Sequence, residues 1–144
     1  MVRIQRSALV PFSQHQMFTL VNDIEQYPRF LPWCQLAQVL SKTEKEIKAT
    51  LHFTKAGIAN SFTTVNEVSP AQSVKMRLVE GPFRHLEGQW HFEEIADKGC
   101  KITFELSFEF ANLFLSATLS PFFKNLSMTM LQAFTQRAHA LYAK

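Results

Sequence analysis

The residues of this sequence that could do chemistry are mainly its five histidines, and they are dispersed along the chain. His85 and His91 occupy positions of the same parity on one predicted strand, the parity that also carries its polar residues. That parity predicts that both histidines are solvent-exposed, and a catalytic or metal-binding role is the alternative interpretation. Glu105 and Glu109 are interpreted in the same way, because carboxylates paired for acid–base work sit in a cleft.

The two cysteines, Cys34 and Cys100, have neither metal-binding nor redox spacing. Cys100 alternates with apolar residues, which predicts a buried thiol. The sequence contains no phosphate-binding loop, no zinc-ligand spacing and no Ser/His/Asp or Cys/His arrangement with supporting context. It therefore predicts no catalytic residue, no metal site and no cofactor, and the protein is not expected to be an enzyme.

Length and composition narrow the class of protein further. A chain of 144 residues is expected to form a single domain, 1–144, with a core that needs no disulfide or metal. The net charge of +3 is spread without a basic run, so DNA binding is not expected. No apolar run reaches the ~18 residues of a transmembrane helix. The N-terminal residues resemble a strand rather than a signal peptide, which favours a cytoplasmic location.

Apolar periodicity predicts a strand first and a short helix after it. In "VRIQRSALV" the residues Val2, Ile4 and Leu9 are expected to point inward. Ser13 is the expected N-cap of the helix, with Gln16 at the capping-box position. The pair Tyr27-Pro28 is expected to end the helix, because a residue that precedes proline leaves the helical region.

From Gln35 to Phe110 the apolar residues alternate with polar ones, which is typical of antiparallel strands with one wet face. In "CKITFELSFEF" every apolar residue falls on one face, and "EIKATLHF" alternates in the same way. Turn signals at 55–57, 69–72, 80–82 and 97–99 separate the strands. Strand follows strand over short connections, so the pattern predicts a meander.

The last segment, from Asn112 to Tyr142, has apolar residues at steps of three and four, which predicts a long amphipathic helix. Pro121 lies inside this segment. Either the helix kinks there, or Ser120 caps a new segment with Pro121 at its first position. This helix is the only predicted element long enough to cover the apolar face of the sheet.

The interior can be interpreted in two ways. The chain has 14 phenylalanines against 2 tyrosines, and phenylalanine carries no polar group, so the surplus fits a solid core or an apolar ligand cavity. Gly88, in mid-strand beside Trp90, marks either curvature of the sheet or a wider cavity mouth. The apolar connection "YPRFLPWC", Tyr27 to Cys34, is either a plug of the core or a lid over a ligand entrance.

The order of elements resembles the helix-grip arrangement of START-like domains, an α+β fold. "VNDIEQYPRFLPWC" resembles the V-x-D-x-x-x-Y-P-x-F-L-P-x-C signature of the coenzyme Q-binding protein/ribosome association toxin RatA family. "KAGIANSFTTVNEV", "VEGPFRHLEGQWHF" and "AFTQRA" are similar to the same family, in the same order over nearly the whole chain. The family belongs to the SRPBCC superfamily, whose members are often labelled polyketide cyclases or dehydrases. The resemblance implies a curved antiparallel sheet of about six to seven strands wrapped round the long C-terminal helix, with a short helix after the first strand.

The same resemblance implies the possible functions. The first is a non-catalytic protein that binds ubiquinone, or another long apolar ligand, in a hydrophobic cavity and supports respiration, with transient membrane contact. The alternative follows the ribosome association toxin branch: binding to the large ribosomal subunit, which blocks its association with the small one and inhibits translation initiation. Candidate contacts with ribosomal phosphates are Lys42, Lys45, Lys48 and Arg84. A polyketide cyclase-like enzyme is the third, and the sequence lacks an acid–base constellation for it.

The residues predicted to line the cavity and bind its ligand come from the apolar connection, the inner positions of the strands and one face of the C-terminal helix. They are Phe30, Leu31, Trp33, Leu51, Phe53, Phe62, Met76, Leu78, Leu86, Trp90, Phe92, Phe104, Leu106, Phe108, Leu119, Phe122, Phe123, Leu126, Met130 and Phe134.

Overall fold

The computed structural model describes residues 1–55 and 57–143. This part of the chain forms seven strands, two α-helices and one 3₁₀-helix. In chain order they are β1 (Val2–Val10), α1 (Gln14–Asn22), the 3₁₀-helix (Ile24–Arg29), β2 (Cys34–Lys42), β3 (Glu46–Lys55), β4 (Ile58–Ser69), β5 (Ser73–Glu80), β6 (Phe83–Glu94), β7 (Cys100–Phe110) and α2 (Leu113–Tyr142).

All seven strands form one antiparallel sheet in the order β1-β7-β6-β5-β4-β3-β2. Strands β2 to β7 follow one another as a meander, as the sequence predicts, and β1 pairs with the last of them. Strands β1 and β2 therefore lie at opposite edges, and α1 with the 3₁₀-helix carries the chain between them. The predicted architecture, a curved antiparallel sheet around a long C-terminal helix, is confirmed.

The predicted turns at 69–72, 80–82 and 97–99 are also confirmed. Only Gly81 and Pro82 connect β5 to β6, and Gly81 adopts a positive φ of 156°. A side chain at Gly81 would bring its Cβ to 2.7 Å from the Cβ of Phe62, so the close approach of β4 requires glycine there. The predicted turn at 55–57 includes residue 56, which lies outside the described residues.

The short helix begins as expected and ends earlier than expected. The Ser13 hydroxyl accepts a hydrogen bond from the Gln16 backbone N–H, and the Gln16 side chain accepts one from the Ser13 backbone N–H. The α-helix ends at Asn22, because Asp23 leaves the helical region, so the predicted end at Tyr27-Pro28 is wrong. Tyr27 and Pro28 lie instead within the 3₁₀-helix.

One inward assignment in β1 is also wrong. Val2 and Ile4 face the core, but Leu9 is 73% exposed and Val10 takes the inward position. The strand keeps a strict period of two up to its last residue, so an odd-numbered position cannot join the even-numbered inner face.

The helix α2 runs without interruption from Leu113 to Tyr142, with Pro121 inside it. Its N-cap is Asn112, whose side-chain oxygen accepts a hydrogen bond from the Leu115 backbone N–H. The alternative in which Ser120 caps a new segment is therefore wrong.

The surplus of phenylalanine forms a solid cluster at the N-terminal half of α2. The Phe123 ring centroid lies 4.8 Å from that of Phe108, 5.1 Å from Phe83 and 6.0 Å from Phe62. Edge-to-face contacts of this kind add to the free energy gained from burying the rings. This cluster packs the helix against strands β4, β6 and β7 of the sheet. The cavity between helix and sheet lies farther along the helix.

Candidate ligand-binding cavity

A cavity of about 70 Å³ lies between the inner face of the sheet and the middle of α2. Its walls come from three parts of the chain: the connection between β1 and β2, the strands β3 to β7, and one face of α2. The lining residues are Ile24, Tyr27, Trp33, Ala49, Leu51, Phe62, Thr64, Asn66, Met76, Leu86, Gly88, Trp90, Phe104, Leu106, Phe123, Leu126, Ser127, Met130 and Phe134.

Most of the residues that the sequence predicts for the lining lie on these walls. They are Trp33, Leu51, Phe62, Met76, Leu86, Trp90, Phe104, Leu106, Phe123, Leu126, Met130 and Phe134. The alternation of each strand assigns its residues to the inner face, which is why this part of the set is found together. Their role in holding a ligand stays a prediction.

The remaining predicted residues lie elsewhere, and the lining prediction is corrected for them. Leu31, Phe53, Phe92, Phe108 and Leu119 are buried in packed core, whereas Phe30, Leu78 and Phe122 are half-buried at its margin. The alternation of a strand predicts which face of the sheet a residue occupies. It does not predict whether that residue meets the cavity or packed side chains. Phe92, for example, faces inward and meets the ring of Phe18, at a centroid distance of 6.1 Å, rather than the cavity.

Several lining residues were not predicted, and three of them are polar. Thr64 and Asn66 occupy inner positions of β4, and Ser127 occupies the buried face of α2. The Thr64 hydroxyl donates to Asn66 Oδ1 at 2.8 Å, and the Ser127 hydroxyl donates to the Phe123 carbonyl at 2.7 Å. A polar residue at an inner strand position was the available sequence signal for Thr64 and Asn66. The other unpredicted lining residues are Ile24, Tyr27, Ala49 and Gly88.

Gly88 belongs to the cavity wall, and its role there is close approach. A Cβ at this position would lie 2.6 Å from Met76 Cε and 3.1 Å from Leu106 Cδ1. The irregularity in the β6–β7 pairing falls between Phe83 and His85 instead. β6 pairs regularly with β5 and with β7 at Gly88, so the strand has no bulge at that residue.

The segment Tyr27 to Cys34 packs against the C-terminal half of α2 as an aromatic cluster. The Phe134 ring lies 5.3 Å from Tyr27 and 5.0 Å from Phe30, centroid to centroid. The Tyr27 hydroxyl donates a hydrogen bond to the Val21 carbonyl, and the Arg137 guanidinium lies 5.3 Å from the centroid of Phe30. Tyr27 thus acts as a plug of the core at this end of the cavity.

The described cavity walls contain almost no titratable side chains. Tyr27 is the one titratable residue on the described walls, and burial raises its pKa far above the usual value. A phenol that stays protonated and donates to a backbone carbonyl has no proton free to exchange with a ligand. The walls therefore offer no group for acid–base chemistry at neutral pH.

The histidine and glutamate side chains that the sequence singles out on β6 and β7 lie on the outer face of the sheet. His91 and Glu105 are exposed, and His85 is half-buried with its Nε2 atom 2.9 Å from Ser107 Oγ. Glu105 accepts a hydrogen bond from the Gln5 side chain at 3.1 Å. The sequence-based assignment of these residues to the polar face is confirmed. Within residues 1–55 and 57–143, no three His, Cys, Asp or Glu side chains come close enough to hold a metal ion.

The candidate phosphate contacts do not form one surface. Lys42 and Lys45 lie at the β2–β3 turn, and Lys48 follows on the outer face of β3. Arg84 lies at the opposite end of the sheet, where its Nη2 donates to the Ala111 carbonyl beside the start of α2.

None of the helices in the described part of the chain has the length and apolar character that a membrane span requires.

Both cysteines are buried, as predicted for Cys100, and neither forms a disulfide. Burial raises the pKa of the Cys34 thiol to about 11 and also raises that of Cys100.

Since the thiolate is the reactive form, we expect neither cysteine of the folded protein to react with a thiol reagent at about pH 8. Both should react once denaturant is added, in an absorbance assay with a disulfide reagent. Ser41→Cys, exposed on β2, serves as the reactive control; fast labelling of the native parent chain would contradict the prediction.

Comparison with known proteins gives a consistent family likeness. Residues 10–135 match the family model described as polyketide cyclase/dehydrase and lipid transport. The chain is 45% identical over 139 residues to the ribosome association toxin RatA of Pseudomonas aeruginosa, covering 96% of each chain. It is 29% identical over 147 residues to the mitochondrial coenzyme Q-binding protein COQ10 homolog B of Xenopus laevis, covering 99% of this chain and 60% of that protein.

Solved structures show the same fold at lower sequence identity. The Zhui aromatase/cyclase of Streptomyces superimposes with a TM-score of 0.82 at 16% identity, covering 99% of this chain and 96% of that one. A START superfamily protein from Mycobacterium smegmatis gives 0.76 at 16% identity, covering 96% and 98%. At these identities the likeness concerns the helix-grip fold alone.

Proposed function

The chain belongs to the polyketide cyclase/dehydrase and lipid transport family, and on that premise we propose that it acts on the ribosome, by binding the large subunit and blocking its association with the small one. The observation that carries this proposal is the 45% identity, over 96% of both chains, to a protein named as a ribosome association toxin. The sequence-based resemblance to the coenzyme Q-binding and ribosome association toxin family is confirmed at the family level. A ribosomal target implies a cytoplasmic place of action.

The proposal is tested by sedimenting the protein with purified large or small subunits at two salt concentrations. We expect it to pellet with the large subunit only, and to bind more weakly at high salt, because contacts with RNA phosphates release counterions. The net charge of +3 fits such an attraction. Equal recovery with both subunits, or no recovery at low salt, would count against this function.

We propose ligand binding in the cavity as a second function, compatible with the first. The supporting observation is the apolar, uncharged lining between sheet and helix. Ubiquinone, the ligand to which the name of the Xenopus laevis relative refers, is the first ligand to test. This chain spans 60% of the length of that relative, so the activity of the longer protein is carried over only as a proposal.

The size of the cavity limits what it accepts without movement. Its volume of about 70 Å³ is well below the roughly 300–1,000 Å³ of typical ligand pockets. A ring-sized head group can enter only if the walls move, and the flexible side chains of Met76 and Met130 are the parts that move most easily. A long isoprenoid tail would have to extend out of the cavity, which implies transient contact with a membrane during exchange.

Extraction of the purified protein into organic solvent, followed by mass spectrometry, tests this second function. The protein should be made in quinone-containing cells, and we expect less than stoichiometric quinone to be recovered because the cavity is narrow. Ala49→Leu fills the cavity wall and should remove the bound quinone. Lys48→Leu, the neighbouring change on the outer face of β3, should leave it unchanged. Equal quinone in both variants would mean that it is bound elsewhere.

We propose that the chain is not an enzyme, although an aromatase/cyclase shares its fold. The support is chemical: the described cavity walls contain no histidine or carboxylate, and their one phenol is held by the Val21 carbonyl. A cyclase needs a group that takes or gives a proton beside its substrate. Absence of turnover with an aromatic polyketide, in the presence of demonstrated cavity binding, is the expected result.

A further inference from the structure

Two polar side chains lie where an amphipathic strand should carry apolar ones. Thr64 and Asn66 occupy inner positions of β4 on either side of Val65, and they are 9% and 6% exposed. Both line the cavity, so neither reaches bulk water through the sheet. Buried polar groups lower stability unless they are hydrogen-bonded, which makes their bonding pattern informative.

The hydrogen bonds of this pair leave one donor unused. The Thr64 hydroxyl donates to Asn66 Oδ1 at 2.8 Å, which fixes the orientation of the amide. Among the described residues, none accepts a hydrogen bond from Asn66 Nδ2. Because Asn66 lines the cavity and is 6% exposed, its side-chain amide lies at the cavity wall. The cavity thus has apolar walls with one oriented N–H donor.

The lack of charged side chains on the described walls limits which ligands the cavity can bind. No Asp, Glu, Lys, Arg or His side chain is among the described lining residues. A carboxylate or phosphate would enter without a counterion, and burying an unpaired charge is strongly unfavourable. A neutral ligand with an acceptor oxygen fits better, because that oxygen would satisfy the free amide donor.

We propose that Asn66 Nδ2 donates a hydrogen bond to a carbonyl oxygen of a neutral, apolar ligand, and that Thr64 is the positioning residue that orients the amide. This inference rests on the proposed ligand binding and specifies the class of ligand: neutral carbonyl compounds such as quinones, in preference to hydrocarbons of the same shape or to fatty acids. The ring of such a ligand would lie among Trp90, Phe104 and Phe134.

The direct test compares two probes by nuclear magnetic resonance on the unmodified protein. Duroquinone is a fully methylated benzoquinone, and durene is a methylated benzene of similar shape without carbonyl groups. Both should shift the methyl signals of Met76 and Met130, which report entry into the cavity. Only duroquinone should shift the side-chain amide signals of Asn66 downfield, as a new hydrogen bond does.

The possible results distinguish the proposed hydrogen bond of Asn66 from ligand binding in the cavity. If both probes shift the methionine signals but neither shifts the Asn66 amide, the cavity binds ligands and the inference is wrong. If neither probe shifts any cavity signal, the proposed ligand binding itself fails. Equal amide shifts with durene would mean that the amide senses repacking and not a carbonyl acceptor.

Variants provide an independent readout. Asn66→Leu, of similar size and without the donor, should weaken duroquinone binding about tenfold while leaving durene binding unchanged. Thr64→Val should have a smaller effect of the same kind, since it removes only the group that orients the amide. An equal loss of affinity for both probes in Asn66→Leu would overturn the assignment and indicate a purely structural role.

Discussion

Replacing Phe134 by alanine is expected to lower the free energy of unfolding by about 3–5 kcal/mol, the range measured for buried aromatic-to-alanine changes. Phe134 is 1% exposed, and its ring packs against Tyr27, Phe30 and Trp90. The ring therefore packs α2 against both the segment Tyr27 to Cys34 and β6. Removing it should leave a cavity that rigid neighbours from three elements cannot close.

Chemical denaturation followed by circular dichroism measures this loss. Phe114→Ala is the matched control, because it is the same substitution on the same helix at a side chain that is 67% exposed. We expect the control to change stability by no more than about 0.5 kcal/mol. Similar losses in the two variants would contradict the packing described for the C-terminal half of α2.

A second pair of variants distinguishes a lid from a plug at Trp33. Trp90 is fully buried against Phe104, with ring centroids 4.6 Å apart, whereas Trp33 is half-buried on the cavity wall. We expect Trp90→Ala to cost about 3–5 kcal/mol of stability. Trp33→Ala should cost about 1–2 kcal/mol, because less apolar surface is lost from the core.

Ligand exchange is the measurement that separates the two roles of Trp33. A lid predicts that Trp33→Ala speeds the exchange of duroquinone, visible in the line shapes of the Met130 methyl signal. If the stability loss equals that of Trp90→Ala and exchange is unchanged, Trp33 is a plug like Tyr27.

Several features of the fold were predictable from residue order because local rules decide them. The strict alternation in β7 assigns Ile102, Phe104 and Phe108 to the core, and all three are buried. The capping box at Ser13 and Gln16 is likewise a local device, and it forms as expected. The 3₁₀-helix was missed because short turns of this kind carry no periodic signal of their own.

The cavity was predictable only in part, because its boundaries depend on packing between distant elements. Phe62 and Phe53 have the same parity relation to the core, yet only Phe62 reaches the cavity wall. On α2, Phe53 meets the rings of Phe122 and Phe123, at centroid distances of 6.2 Å and 6.4 Å. No pattern within a strand encodes which helix residue will meet it.

The two motifs that carry the family resemblance meet in space. Phe30, from "YPRFLPWC", contacts the guanidinium of Arg137 and the ring of Phe134, both from "AFTQRA". The apolar character of the connection is therefore explained by its contact with α2. This contact closes one end of the cavity and fixes the 3₁₀-helix against the core.

The proposed action on the ribosome can be measured as subunit association in a sucrose gradient. Purified large and small subunits are mixed under associating conditions with an excess of the protein, and the separated fractions are probed for it. We expect free subunits to increase at the expense of whole ribosomes, and the protein to sediment with the large subunit. An unchanged profile, with the protein remaining at the top of the gradient, would contradict it.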